Sequence, residues 1–185
     1  MGLFRKSPPP RPTLLRRVPR PWDPPETEFP AVVPINVLPF GRSEQTAVAI
    51  TGISAYSNGF EIFVTRLIRP DLLGWDEDPV PGAPRGILAE RQSFQISLQL
   101  CDGRVVTSGK SPVDAEPTGP ILRSRGGGGT SHYTLMRWWA WPLPPSGPLG
   151  FICQLGTGET GVGIDAQLIL DAAQRSVRVW PQVGG

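Results

Sequence analysis

At 185 residues, with 39% hydrophobic residues, 23 prolines and 22 glycines, the chain is long enough for one packed core plus an appendage and too short to favour a second core. The formal net charge of +2 is unevenly spread: residues 1–20 carry six basic side chains and no acidic one, leaving 12 basic against 16 acidic residues in the remainder. A net-acidic body argues against a nucleic-acid-binding domain, and no run approaches the roughly 18 apolar residues of a membrane span.

Residues 1–30 hold nine of the prolines. The run Pro8-Pro9-Pro10-Arg11-Pro12 favours polyproline II with a solvated backbone, so 1–30 reads as a Pro/Arg-rich flexible arm and 31–185 as a single domain. Leu14, Leu15, Val18, Trp22 and Phe29 give the arm the means to lie down on its own domain or on a partner. Arg16-Arg17 is not followed by the apolar core of an export signal, and Lys6 stands where myristoylation needs Ser or Thr, so the expected location is the cytoplasm.

From residue 31 the pattern is that of β-structure. Ala31 to Phe40 is apolar but interrupted by Pro34 and Pro39, which allows an edge strand or a broken one. Ala47 to Tyr56 alternates as a strand, with Gly52 shifting the register so that a bulge is expected. Asn58-Gly59 favours the positive φ angles of a type I′ turn, and Phe60 to Leu67 forms the return strand. Residues 69–91, with Trp75 and Asp76-Glu77-Asp78, read as a long loop. Phe94, Ile96, Leu98 and Leu100 alternate with polar residues as a half-buried strand, Asp102-Gly103 turns it, and Arg104 to Thr107 returns. Residues 109–130 read as loop, ending in the glycine run 126–129; strands follow over about His132 to Trp141 and Leu149 to Leu155. Helical spacing appears only at Leu168, Ile169, Ala172, Ala173 and Ser176, with Asp165 as N-cap, before a last short strand over Val177 to Trp180. The sum is an all-β fold: an antiparallel β-sandwich, immunoglobulin-like or alternatively a jelly roll, with one short C-terminal helix.

Chemistry-bearing constellations are sparse. Gly109-Lys110-Ser111 has the tail of a phosphate-binding loop, but five residues separate it from Gly103 instead of four, and Pro112 follows where a helix should start. Two cysteines and one histidine make no zinc spacing, and Asp76-Glu77-Asp78 lacks the alternation and glycine of a calcium loop, so no metal or cofactor is expected. The single histidine, His132, is the only one available to catalysis, and Cys153 the only thiol with a conceivable path to it. Arg123 and Arg125 beside Gly127 and Gly128 form a candidate anion site, in which backbone N–H groups and guanidinium groups would converge. Gly184-Gly185 superficially matches the tail of ubiquitin-like modifiers, without the early long helix of that fold.

The most informative stretch is Tyr133 to Trp141. In a strand, Met136, Trp138 and Ala140 share one face while Leu135, Arg137, Trp139 and Trp141 share the other. One face enters the core; the other must be covered, because large exposed aromatic patches mark interaction sites. Trp138, Trp139, Trp141 and Arg137, together with Trp22, Arg16 and Arg17 of the arm, are therefore the candidate interaction residues.

The segments Ala55-Tyr56-Ser57-Asn58-Gly59-Phe60, the glycine run at 126–129, and Trp139-Ala140-Trp141-Pro142-Leu143-Pro144-Pro145 through Phe151-Ile152-Cys153 resemble a family of bacterial proteins of unknown function. The resemblance spans about residues 45–180 and implies a bacterial cytoplasmic protein, with no activity or site residue to carry over. The leading expectation is a non-catalytic interaction or structural module of a bacterial cytoplasmic assembly, with a protein partner or a second copy of the chain. The alternatives are a small-molecule or anion binder or enzyme using the loops near Gly126–Gly129 and His132, and a carbohydrate-binding sandwich.

Overall fold

The computed structural model describes residues 20–69, 94–109, 116–130 and 132–180. Over these described residues it is an all-β sandwich with one short helix. The long loop read over 69–91 and Arg16-Arg17 lie almost wholly outside the described residues, Arg69 being the last described residue before that stretch.

The first strand, β1 (Glu28–Phe29), precedes the broken apolar run, which itself forms two short strands, β2 (Ala31–Val32) and β3 (Leu38–Arg42). Both β2 and β3 pair with β4 (Thr46–Ala55), which Pro34 allows because it falls between them. The bulge at Gly52 is present as a register shift between Ile50 and Gly52 in the pairing of β4 with β5 (Phe60–Ile68). The connecting turn differs from the expected type I′: neither Asn58 nor Gly59 has a positive φ. Ala55 pairs with Phe60, and Tyr56 N–H donates to Gly59 O at 2.8 Å, closing a four-residue loop. Gly59 is required for space instead: a Cβ there would lie 2.5 Å from Ala140 O and 2.6 Å from Trp139 Cζ2.

The half-buried alternation gives β6 (Gln95–Gln99) and, after Gly103 with its φ of 84°, β7 (Val105–Thr107). The glycine run read as loop is part of a nine-residue strand, β8 (Ile121–Gly129), at the edge of the larger sheet against β9 (Tyr133–Trp141). Glycine has poor intrinsic strand preference, but here backbone proximity excludes anything larger: a Cβ on Gly127 would lie 2.2 Å from Leu135 O, and one on Gly129 2.0 Å from Tyr133 O. A bulge between Ser124 and Gly127, with Gly126 at φ 84°, accommodates the kink.

Two further strands, β10 (Pro148–Leu155) and β11 (Gly158–Asp165), form a hairpin, the second of which sequence pattern does not announce because Gly158, Gly161 and Gly163 dilute it. The helix α1 (Gln167–Ala173) follows, with Asp165 one residue outside its cap position yet still accepting the Gln167 N–H at 2.9 Å. The last strand, β12 (Val177–Arg178), pairs with β1 as a separate two-stranded ribbon.

The larger sheet runs β2-β4-β5-β9-β8 with β3 beside β4, and the smaller runs β11-β10-β6-β7. Their inner faces meet in one core: Val48, Ile50, Ile62 and Trp138 from the first, Ile96, Leu98 and Phe151 from the second. Ile169, Ala172 and Ala173 of α1 join the same core. Each fully buried aliphatic or aromatic side chain there contributes about 1.5–3 kcal/mol. The sheets also touch through β3, where Phe40 meets Phe151 edge-to-face at 6.5 Å and Thr160 Oγ1 donates to Phe40 O.

Candidate functional site

Strand periodicity sets the faces of β9. Met136, Trp138 and Ala140 pack with the sandwich core, and Trp138 meets Phe94 with ring centroids 5.7 Å apart. Trp139 points to the other face of the sheet, yet is only 2% exposed. Residues 20–28, assigned to the arm by composition, are what lie there. Trp139 Nε1 donates to Trp22 O at 2.8 Å, and Asn58 Nδ2 donates to Pro21 O at 2.8 Å and Asp23 O at 3.0 Å. Tyr56 completes the enclosure, its ring edge-to-face with Trp139 at 5.5 Å.

Farther along, Ser57 donates its N–H and Oγ–H to the Glu28 carboxylate at 3.0 and 2.7 Å, and Arg178 Nη2 lies 3.3 Å from the same group. Burial opposes ionisation of Glu28, but the donors of Ser57 and the charge of Arg178 outweigh it and hold the carboxyl below its ordinary range. The β1–β12 ribbon thereby ties the N-terminal segment to the C-terminal one, with Phe29 and Val177 paired on its outer side.

The aromatic interaction surface proposed from sequence is therefore internal at Trp138 and Trp139. The chain covers their apolar area itself. Trp22 contributes through its backbone carbonyl, while Arg20 sits 5.9 Å over its ring. Trp141 is half-buried and lines a small cleft of about 40 Å³ with Leu100, Pro120 and Pro144.

Arg137, Arg123 and Arg125, which the sequence puts in two separate candidate sites, come together on this outer face. Arg123 pairs with Trp139 and Trp139 with Glu61, so the three stand in one row across β8, β9 and β5. Glu61 is 7% exposed, and its Oε1 lies 3.8 Å from Arg125 Nε and 3.9 Å from Arg137 Nη1. Both guanidinium side chains remain over 40% exposed. These separations are ion pairs too long for hydrogen bonds. The carboxylate holds the arginines in place electrostatically without occupying their donors. Burial, and then the charge of Glu61, raise the Tyr56 phenol above its ordinary value.

The anion nest expected at Gly127 and Gly128 is replaced by a strand: both residues are in the ladder, opposite Met136 and Leu135. Sequence reading missed Glu61 and the outward row of small residues Ala47, Ala49 and Thr51. That row floors a broad groove of about 700 Å³ bordered by Val37, Arg42 and Leu67. The signal for it was present in the alternation of small outward residues with Val48 and Ile50.

The two groups that the sequence offers to catalysis lie on different sheets, Cys153 on β10 of the smaller and His132 in the β8–β9 turn of the larger. Cys153 lies in the core against Gly41, and burial pushes its thiol up to about 11, so it is no nucleophile near neutrality. His132 is half-buried in the turn before β9, where its carbonyl accepts the Ile68 N–H at 2.8 Å. Among the described residues no group of three His, Cys, Asp or Glu side chains is placed to hold a metal ion, and no helix is long and apolar enough to cross a membrane. No protein-family model matches the chain, and no curated protein sequence matches it.

Proposed function

We propose that the chain is a non-catalytic protein-interaction module of a bacterial cytoplasmic assembly, with the sandwich as scaffold and the outer face of the larger sheet around Arg125 and Arg137 as its contact surface. The observation that carries this reading is the pair of exposed guanidinium groups held by one buried carboxylate, Glu61, beside an edge strand. A rigid sheet positions such donors better than a loop does, and exposed arginine is enriched where protein surfaces meet. The two free cysteines fit a reducing compartment.

The test is in-cell cross-linking with the full chain and its Arg125→Ala/Arg137→Ala variant, each checked for folding by circular dichroism. Partners captured by the wild type and lost from the variant support the surface. Capture of the same partners by both, or of none, overturns it.

A further inference from the structure

The free edge of β8 has the geometry to receive another strand. Ile121–Gly129 ends the larger sheet, and among the described residues no strand pairs with its second edge. Thr130 N–H donates to Tyr133 O at 2.7 Å, which makes that pair a hydrogen-bonded one. Bonded and open pairs alternate along an antiparallel ladder, so Gly128 is bonded to Leu135, while Gly127 and Gly129 occupy open pairs. The spacing agrees: a Cβ on Gly127 or Gly129 would lie 3.1 Å from Met136 Cα or 2.8 Å from Thr134 Cα, the close approach of an open pair, and one on Gly128 meets nothing within 4 Å. Gly127 and Gly129 therefore turn N–H and C=O away from β9, and both residues are exposed.

We propose that this edge binds an extended acidic segment of a protein partner, which adds as a strand at Gly127 and Gly129 and places a carboxylate on Arg125. The proposal rests on the interaction-module reading and gives its partner a chemistry. The acidic character follows from the charges flanking the edge. Arg125 on β8 and Arg137 on β9 stand beside it, and the carboxylate they share, Glu61, is buried at more than 3.5 Å from both. A second copy of this chain serves the same edge less well: two-fold pairing about Gly128 would set Thr130 to His132 of the other copy opposite Arg125, a stretch with no carboxylate, so the main-chain bonds would form without the charge-assisted ones. Extended acidic peptide meets both requirements, main-chain bonds from the glycines and charge-assisted bonds from the exposed guanidinium groups. The bulge between Ser124 and Gly127 limits the regular contact to a short register and sets Arg125 just beyond it.

The experiment uses the full chain and three fluorescein-labelled eight-residue peptides: Glu alternating with Thr, Lys alternating with Thr, and the acidic peptide N-methylated at alternate positions. Anisotropy reads binding, and amide hydrogen exchange reads Gly127 and Gly129. The acidic peptide should bind saturably and more weakly at high salt, slow both glycine amides, and lose at least tenfold in affinity with Arg125→Ala. The Lys and N-methylated peptides should bind at least tenfold more weakly than the acidic one. Equal binding of acidic and basic peptides, unchanged glycine amides, or a concentration-dependent dimer that protects β8 would each overturn the proposal. If the acidic peptide fails while cross-linked partners still depend on Arg125 and Arg137, strand addition falls and the interaction surface stands; if both fail, the underlying reading falls too.

Discussion

Trp139→Phe tests whether residues 20–28 are structural cover. The indole donates to Trp22 O at 2.8 Å from a site 2% exposed, and the smaller ring keeps the contact with Tyr56 but not the donor. Losing a hydrogen bond and leaving its carbonyl partner enclosed costs about 1–2 kcal/mol. The missing ring leaves a void of about 35 Å³, worth about 0.8 kcal/mol at about 24 cal/mol per Å³. The expected loss is about 2–3 kcal/mol, or a fall of about 5–10 °C in Tm for a chain of this size. Guanidinium denaturation gives the free energy, and amide exchange over residues 20–29 locates it. Asn58→Ala cuts two other bonds to the same segment, so the double variant should lose less than the sum of the singles, because either change alone already loosens the segment. A loss under about 0.5 kcal/mol, or strict additivity with unchanged exchange over 20–29, would refute the idea that this segment covers Trp139 as a unit.

Gly59→Ala should destabilise by about 2–4 kcal/mol as an overpacking defect, since its Cβ would strike Ala140 O and Trp139; a thermal melt within 2 °C of wild type contradicts the close approach. Gly128→Ala should be near neutral while Gly127→Ala lowers Tm clearly, because only the second places a Cβ against Leu135 O; equal melts would mean the register of β8 is wrong. Iodoacetamide at pH 8 should modify exposed Cys101 in the native protein and spare Cys153 until denaturant is added, with peptide mass spectrometry as readout. Glu28 has a folded pKa below its ordinary 4.5, so its contribution is complete above the unfolded value and is lost as pH falls through the folded one. Tm should therefore drop more steeply below pH 4.5 in wild type than in Glu28→Gln, and parallel profiles would remove the Ser57–Glu28–Arg178 link as a stabilising feature.

The sequence by itself determined the fold class and most strands, because those depend on a two-residue period that local residues carry: Val48 and Ile50 in, Ala47 and Ala49 out, with Gly52 shifting the phase. It also determined the two faces of β9. What covers the outer face was decided by contacts across 117 positions, from Trp139 to Trp22, which no local pattern records. The same holds for β8 and β11, whose glycines carry no side-chain signal and become strands only because a neighbouring backbone supplies the ladder and, at Gly127 and Gly129, the need for the missing Cβ. The candidate site follows suit: Arg123, Arg125 and Arg137 were legible as charges, but pairing of three strands brings Arg125 and Arg137 to Glu61 and sets Arg123 in the same row across Trp139, since strand neighbours are set by register and not by distance along the chain.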